Sequence, residues 1–174
     1  MKKTNFCSAA LLLLFSFENS IYELNVQDIK ENMITMSAFK NKKILITTIS
    51  TDTDTGQLKW LDSLQKANTL LNVIVVPALD FGIIKNNNAL ADLTDSVKLN
   101  FLVTKPVYIN KNMSAKQSPL FTWLTNAKNN EHFDINADAA GQFFIISKSG
   151  KLYSVLPPNV PAETLNQVLN QDVE

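Results

Sequence analysis

Residues 44–49 (ILITTI), 57–71 (QLKWLDSLQKANTLL) and 73–76 (VIVV) decide the fold of this chain. The first and third stretches, Ile44–Ile49 and Val73–Val76, are short runs of mostly β-branched residues, which are typical of buried strands. The stretch between them, Gln57–Leu71, repeats leucine at helical spacing beside Trp60 and predicts an amphipathic helix. A strand, a helix and a strand joined in this order form a βαβ unit, so we expect two parallel neighbouring strands.

Further elements extend this unit along the chain. Pro119 follows the helix-capping residue Ser118, which predicts a helix that begins there. The full set of later elements is a short helix at Ala89–Val97, a helix at Ser118–Ala127, strands at Phe143–Ile146 and Leu152–Val155 joined by a turn at Ser149-Gly150, and a closing helix at Pro161–Leu169. This order resembles the thioredoxin fold. It predicts an α/β domain of three layers, with a mixed central β-sheet and helices on both faces.

The composition excludes several classes of function. The 174 residues suit a single domain, and 16 basic residues, all of them lysine, balance 16 acidic ones. A neutral chain without arginine is a poor candidate for binding nucleic acid, so we expect no such partner. Cys7 is the single cysteine and His132 the single histidine, which excludes a Cys/His zinc site, a disulfide framework and a Cys–His nucleophile. We expect neither a cofactor nor a metal ligand set.

The N-terminal segment has the pattern of an export signal. Lys2 and Lys3 precede an apolar run at Ala9–Phe17 that is too short to span a bilayer. A lipoprotein signal does not fit, because Cys7 precedes the apolar run. We therefore expect residues 1–19 to be a signal peptide, removed before about Ile21, and residues 20–174 to form the domain. The protein would be periplasmic or secreted, with no membrane span after signal removal.

Several motifs between Ser20 and Leu169 occur in the order and spacing of one known family. They include SIYEL (20–24), QLKWL (57–61), PLFTWL (119–124) and FIISKSGK (144–151). Together they resemble the glutathione peroxidase family, over nearly the whole of the expected domain. The resemblance implies a thioredoxin-like fold whose opening strand is SIYEL, and a peroxidase site at the loop before the first long helix.

The resemblance also implies which positions would carry the chemistry, and this chain departs from the family at each of them. The family's thiolate or selenolate position matches Asp52, and its Gln position matches Asp80. Its Trp-Asn pair matches Ala139 and Ala140. A thiolate is the nucleophile that attacks a peroxide, and a carboxylate cannot be oxidised to a sulfenic acid. The sequence therefore predicts a member of the family without a peroxidase site.

The same resemblance would bring Asp52, Asp54 and Asp80 towards one shallow surface pocket. One interpretation is that Asp54 or Thr55 caps the following helix, where an anion is favoured. Another is that the converging carboxylates bind a hard cation. A third is general acid–base chemistry by the same carboxylates.

Three functions follow from these alternatives. The first is a binding or interaction module, with an unknown ligand or protein partner, that has lost peroxidase activity. The second is an enzyme or cation-binding protein that uses the acidic pocket. The third is an oxidative-stress protein that depends on the thiol of a partner. We expect a monomer, because the connection at 125–142 is short and polar and offers little apolar surface for an interface.

Overall fold

The computed structural model of the protein describes residues 20–50, 55–82, 98–113 and 115–173. Seven strands occur in this part of the chain. They are β1 (Asn25–Gln27), β2 (Met33–Thr35), β3 (Lys43–Ile49), β4 (Leu71–Pro77), β5 (Leu102–Val103), β6 (Phe143–Ile146) and β7 (Leu152–Leu156). β1 and β2 form an antiparallel hairpin, and the other five form a sheet in the order β5-β4-β3-β6-β7.

The predicted βαβ unit is confirmed. β3 pairs in parallel with β4 along its whole length, from Lys43 opposite Leu71 to Ile49 opposite Pro77. All seven residues of β3 are buried, as expected of a central strand covered on both faces. The connecting helix, α1 (Thr55–Ala67), crosses from one strand to the other.

The C-terminal boundary of this helix differs from the prediction. α1 ends at Ala67, and Leu71, predicted to be helical, is the first residue of β4. The carboxamide oxygen of Asn68 accepts a hydrogen bond from the backbone N–H of Leu70, and the carbonyl of Asn68 accepts one from the N–H of Leu71. Asparagine side chains that bond to nearby backbone groups compete with the helix, and here they form the turn.

The later sheet elements also match the prediction. β6 pairs antiparallel with β3 on one side and with β7 on the other, which makes the sheet mixed. The tight turn between β6 and β7 contains Gly150 at φ +93°, a left-handed conformation that glycine adopts readily. β7 continues one residue past the predicted end, to Leu156.

Alternating residues of the sheet point to opposite faces and pack into two hydrophobic cores. On one face, Ile44, Ile46 and Phe144 pack against helix α2 (Pro119–Thr125), with the rings of Phe121 and Phe144 edge to face at 5.6 Å. On the other face, the buried residues come from the sheet, from α1 and from the closing helix α4 (Ala162–Asn170), and include Leu45, Ile49, Leu58 and Leu165. The structure therefore confirms a thioredoxin-like three-layer α/β fold.

The helix at 118 begins as predicted. The Ser118 hydroxyl accepts a hydrogen bond from the N–H of Phe121 at 3.3 Å, and Pro119 is the first helical residue. α2 ends at Thr125, two residues early, because the Asn126 side chain caps a separate short helix, α3 (Ala127–Asn130).

The strand implied at SIYEL is absent, and two further predictions concern residues outside those that the structure describes. The SIYEL segment is not a strand: Ile21–Glu23 forms a 3₁₀ turn, because the Ser20 hydroxyl accepts from the N–H of Tyr22 and the first strand begins only at Asn25. The predicted helix at Ala89–Val97 lies outside the described residues, as does the predicted signal peptide at residues 1–19. Within the described ranges, no helix is long and apolar enough to cross a membrane.

Candidate functional site

The edge of the sheet where β3 and β4 end is the natural place for a site. Both strands are parallel, so their carboxyl ends meet at one edge, and α1 begins beside it at Thr55. In open α/β sheets, ligands bind outside the carboxyl ends of the strands. We call this region the strand-end edge, and define it by the ends of β3 and β4, the first turn of α1 and residues 139–141.

Asp80 lies on a 3₁₀ turn, Leu79–Phe81, directly after β4. Its carboxylate oxygen Oδ2 accepts a hydrogen bond of 2.6 Å from the backbone N–H of Ile109. The neighbouring backbone is held in the same way, since the N–H of Leu79 donates to the carbonyl of Val107 at 2.9 Å. Asp80 therefore fastens the end of β4 to residues 107–109, and its Oδ1 has no hydrogen-bond partner among the described residues.

Ala139 and Ala140 lie half-buried on the other side of the strand-end edge. Thr48 holds this segment, because its hydroxyl donates to the carbonyl of Ala139 at 2.9 Å and its own carbonyl accepts from the N–H of Gly141 at 2.7 Å. The two alanine side chains have no hydrogen-bonding atoms. The segment is thus attached to β3 through the backbone and the Thr48 hydroxyl, with no side-chain donor from residues 139 or 140.

Gly141 is a position that the sequence analysis did not single out. Its φ is +82°, and a Cβ atom at this position would lie 3.2 Å from the Cβ of Pro158 and 3.8 Å from Nε2 of Gln57. Glycine therefore lets residues 139–141, the loop at Pro158 and the first turn of α1 approach one another closely. A single glycine two residues before a predicted strand is the signal that could have identified it.

Two buried polar atoms near this edge have no hydrogen-bond partner in the described part of the chain. They are Oγ1 of Thr47, a residue with 0% exposure, and Oε1 of Gln142. Thr47 lies opposite Phe143 in the pairing of β3 with β6. Buried hydroxyls normally have a partner, so this part of the sheet carries a local cost in free energy.

The structure leaves the predicted acidic pocket only partly described. Of its three members, Asp80 is placed at the strand-end edge, whereas Asp52 and Asp54 lie outside the described residues. α1 begins at Thr55, which makes Thr55 the first helical residue and not the cap. Across the described ranges, no group of three or more His, Cys, Asp or Glu residues could hold a metal ion.

The two tryptophans pack against other side chains. Trp123 is buried, and Trp60 is 38% exposed, with its ring edge to face with that of Phe143 at 6.3 Å. His132 is exposed, and its Nδ1 lies 3.1 Å from the carbonyl of Asn130. None of the three side chains points to catalysis.

Solved structures with the same fold include two glutathione peroxidases and a disulfide oxidoreductase. Trgpx, in its apo form, matches with a TM-score of 0.66 at 20% identity, over 86% of this chain and 93% of its own. T. cruzi GPX1 matches at 0.64 and 16%, over 86% and 94%. A secreted disulfide oxidoreductase of Mycobacterium tuberculosis, homologous to E. coli DsbE, matches at 0.52 and 10%, over 85% and 95%.

These similarities establish the thioredoxin-like fold. They do not establish an activity, because chains can share a fold at such low identity without sharing an activity. No protein-family model matches the chain, and no curated protein matches it by sequence. The comparisons therefore establish the fold alone, and the activity of this chain depends on its own residues.

Proposed function

We propose that the protein is an exported relative of the glutathione peroxidases that has lost thiol peroxidase chemistry and acts as a binding or interaction module in the cell envelope. One observation carries the proposal: the only cysteine is Cys7, and no thiol occurs anywhere from residue 8 to residue 174. Reduction of a peroxide by this family needs a thiolate that attacks one oxygen and becomes a sulfenic acid. The carboxylate of Asp52, at the matching position, cannot take that role.

The surroundings support the same proposal. Ala139 and Ala140 stand where the family has a Trp and an Asn, and their methyl groups cannot donate hydrogen bonds. Asp80 stands where the family has a Gln, and one of its carboxylate oxygens is bonded to the backbone of Ile109. Loss of the nucleophile together with its supporting donors is what we expect of a chain no longer selected for this reaction.

Export is supported by the N-terminal sequence and by a solved structure of similar fold. Lys2 and Lys3 before the apolar run at Ala9–Phe17 are typical of a signal peptide. One structural relative is a secreted oxidoreductase. Cell fractionation with mass analysis of the N-terminus tests this step. We expect a periplasmic or extracellular protein that begins near Ile21, and an intact cytoplasmic form would contradict the proposal.

A second candidate function uses the acidic residues of the strand-end edge. One oxygen of Asp80 has no hydrogen-bond partner among the described residues, and Asp52 and Asp54 follow β3, whose end lies beside that of β4. Oxygen ligands of this kind suit Ca²⁺, Mg²⁺ or Mn²⁺. This alternative requires an activity or a binding signal that appears only when the cation is present.

A peroxidase assay separates these functions. The purified protein and a Cys7→Ser variant are each given hydrogen peroxide or an alkyl hydroperoxide, with glutathione or thioredoxin as reductant. We expect both rates to equal the blank without protein, and turnover that persists in Cys7→Ser would overturn the proposal. The measurement is repeated with Ca²⁺, Mg²⁺ and Mn²⁺, because a cation-dependent rate would favour the second candidate.

A further inference from the structure

A small cavity lies on the α2 face of the sheet, next to the part of the strand-end edge where β4 ends. It has a volume of about 160 Å³ and lies between the β1–β2 hairpin, the end of β4 and the start of α2. Its floor is formed by Val26, Val76 and Leu120, which are 8%, 1% and 4% exposed. Met33, 66% exposed, lines the cavity from the hairpin. We call this feature the hairpin cavity.

The floor of the hairpin cavity favours an apolar occupant over water. Asn25, Gln27, Thr104 and Ser118 also line the cavity, but the valine and leucine side chains of its floor offer none of the two to four polar partners that an ordered water needs. A space of roughly 150 Å³ with apolar walls holds a benzene-sized molecule. The space is therefore suited to one aromatic ring or one branched alkyl group.

The charge of the side chains that line the cavity indicates which charge a ligand should carry. Among the described residues that line the hairpin cavity, Lys105 is the only charged one and none is a carboxylate. The Lys105 ammonium group makes no ion pair or hydrogen bond within the described ranges. A cation without a partner beside an apolar floor suits an anion with an apolar body.

The cavity is also preformed, so binding would need little reordering. The N–H of Lys105 donates to the carbonyl of Gln27 at 2.9 Å, which attaches the hairpin to the segment after β5. The N–H of Val107 donates to the carbonyl of Pro77 at 3.1 Å, which attaches the same segment to the end of β4. A ligand that meets a fixed cavity does not lose affinity to ordering its walls.

We propose that the hairpin cavity binds a small organic monocarboxylate, with its ring or branched alkyl group on the floor of Val26, Val76 and Leu120 and its carboxylate paired with Lys105. This site goes beyond the proposed function, because Asp80, Ala139 and Ala140 do not line it. Its existence does not depend on whether the strand-end edge has lost peroxidase chemistry.

The test uses phenylacetate as the probe and phenylethylamine as a probe of opposite charge and similar size. Methyl signals of Val26, Val76 and Leu120 are followed by NMR while each compound is added to the purified protein. We expect saturable shifts of these signals with phenylacetate, at a dissociation constant on the order of 1 mM for a ligand of this size. Phenylethylamine should bind more weakly.

Two variants and a matched control complete the test. Val107→Phe fills the cavity and should abolish the saturable shifts, and Lys105→Met should weaken phenylacetate binding about fivefold, as expected for an exposed ion pair. Lys128→Met, at an exposed lysine outside the cavity, should leave binding unchanged. Amide spectra confirm that each variant is folded.

Three outcomes would overturn the proposal. They are phenylacetate shifts that do not saturate, saturable shifts confined to residues outside the cavity, and equal binding of the two probes by the unaltered protein. If Val107→Phe did not fold, the Lys105→Met result and the comparison of the two probes would still decide the matter. A positive peroxidase assay would leave this result standing, so the two proposals fail separately.

Discussion

Asp62 is the carboxylate whose loss we expect to destabilise the fold, because it joins α1 to the segment before β5. The residue is 7% exposed. Its Oδ1 accepts hydrogen bonds from the backbone N–H and the side-chain amide of Asn100, at 2.9 and 3.0 Å. Its Oδ2 pairs with the ammonium group of Lys66 one helical turn along, at 2.5 Å. Asp62→Ala removes all three contacts.

The size of the effect follows from these contacts. A hydrogen bond to a charged group contributes about 1.5–3 kcal/mol, and an ion pair between residues four apart on a helix about 0.3–0.5 kcal/mol. Asn100 is itself exposed, so water can accept from its donors once the carboxylate is gone. We therefore expect Asp62→Ala to lower the free energy of unfolding by about 2 kcal/mol.

The loss should depend on pH. Burial raises the pKa of the Asp62 carboxyl, but the hydrogen bonds from Lys66 and Asn100 outweigh it and hold the pKa below the ordinary value of 3.8. A carboxyl with a lowered pKa contributes its full stability above the pKa of the unfolded chain and loses it as the pH falls through the folded pKa. The difference between the two proteins should therefore shrink as the pH falls below about 4.

Urea unfolding at pH 7 and at pH 3 measures both effects. Asp138→Ala is the matched control, because Asp138 is exposed and shows no hydrogen bond or ion pair in the described part of the chain. The pKa of Asp28 is also lowered: its hydrogen bonds from Asn32 and Lys30 outweigh the opposing effect of burial. The unaltered protein and the Asp62→Ala variant both retain Asp28, so its contribution cancels in the difference between their free energies of unfolding. A loss below 0.5 kcal/mol at pH 7, or a loss independent of pH, would refute the reasoning.

Three further predictions concern other parts of the molecule. Gly150→Ala should lower the free energy of unfolding by about 2 kcal/mol or more, because φ is +93° and the new Cβ would lie 2.6 Å from Cε2 of Tyr22; thermal unfolding measures this, and an unchanged midpoint would contradict it. Asp52→Cys should yield at most one slow, stoichiometric reaction with peroxide, because Ala139 and Ala140 supply no donors; multiple turnovers with glutathione would count against the account of the site. Light scattering should give the mass of one chain at micromolar concentration, and a tetramer that persists on dilution would disprove the predicted monomer.

The central part of the fold could be predicted because its signal is local. The β-branched run at Ile44–Ile49 and the leucine spacing of α1 each reflect burial within one element, and the βαβ connection then dictates parallel pairing. The strand that the family resemblance implies for the SIYEL segment is wrong, since the Ser20 hydroxyl caps a 3₁₀ turn at Ile21–Glu23. The helix ends differ from the prediction by a few residues, because single side chains such as Asn68 determine where a helix stops.

Contacts between distant parts of the chain could not be predicted. Lys43 is buried, and its ammonium group donates to the carbonyls of Leu169, at 2.7 Å, and Gln171, more than 120 positions away in the chain. It thereby occupies the carboxyl end of α4, where a cation is favoured, although burial lowers its pKa. The bond from Ile109 to Asp80 spans 29 positions and has no local signal.

The strand-end edge explains how such a fold can persist without a thiol. Its described parts are joined by backbone groups and two polar side chains: Thr48 holds residues 139–141, and Asp80 holds residue 109. None of these bonds involves a sulfur atom or a donor from Ala139 or Ala140, so the stability of the edge is separate from peroxidase chemistry. The bonds that hold the described part of this edge therefore do not require a thiol.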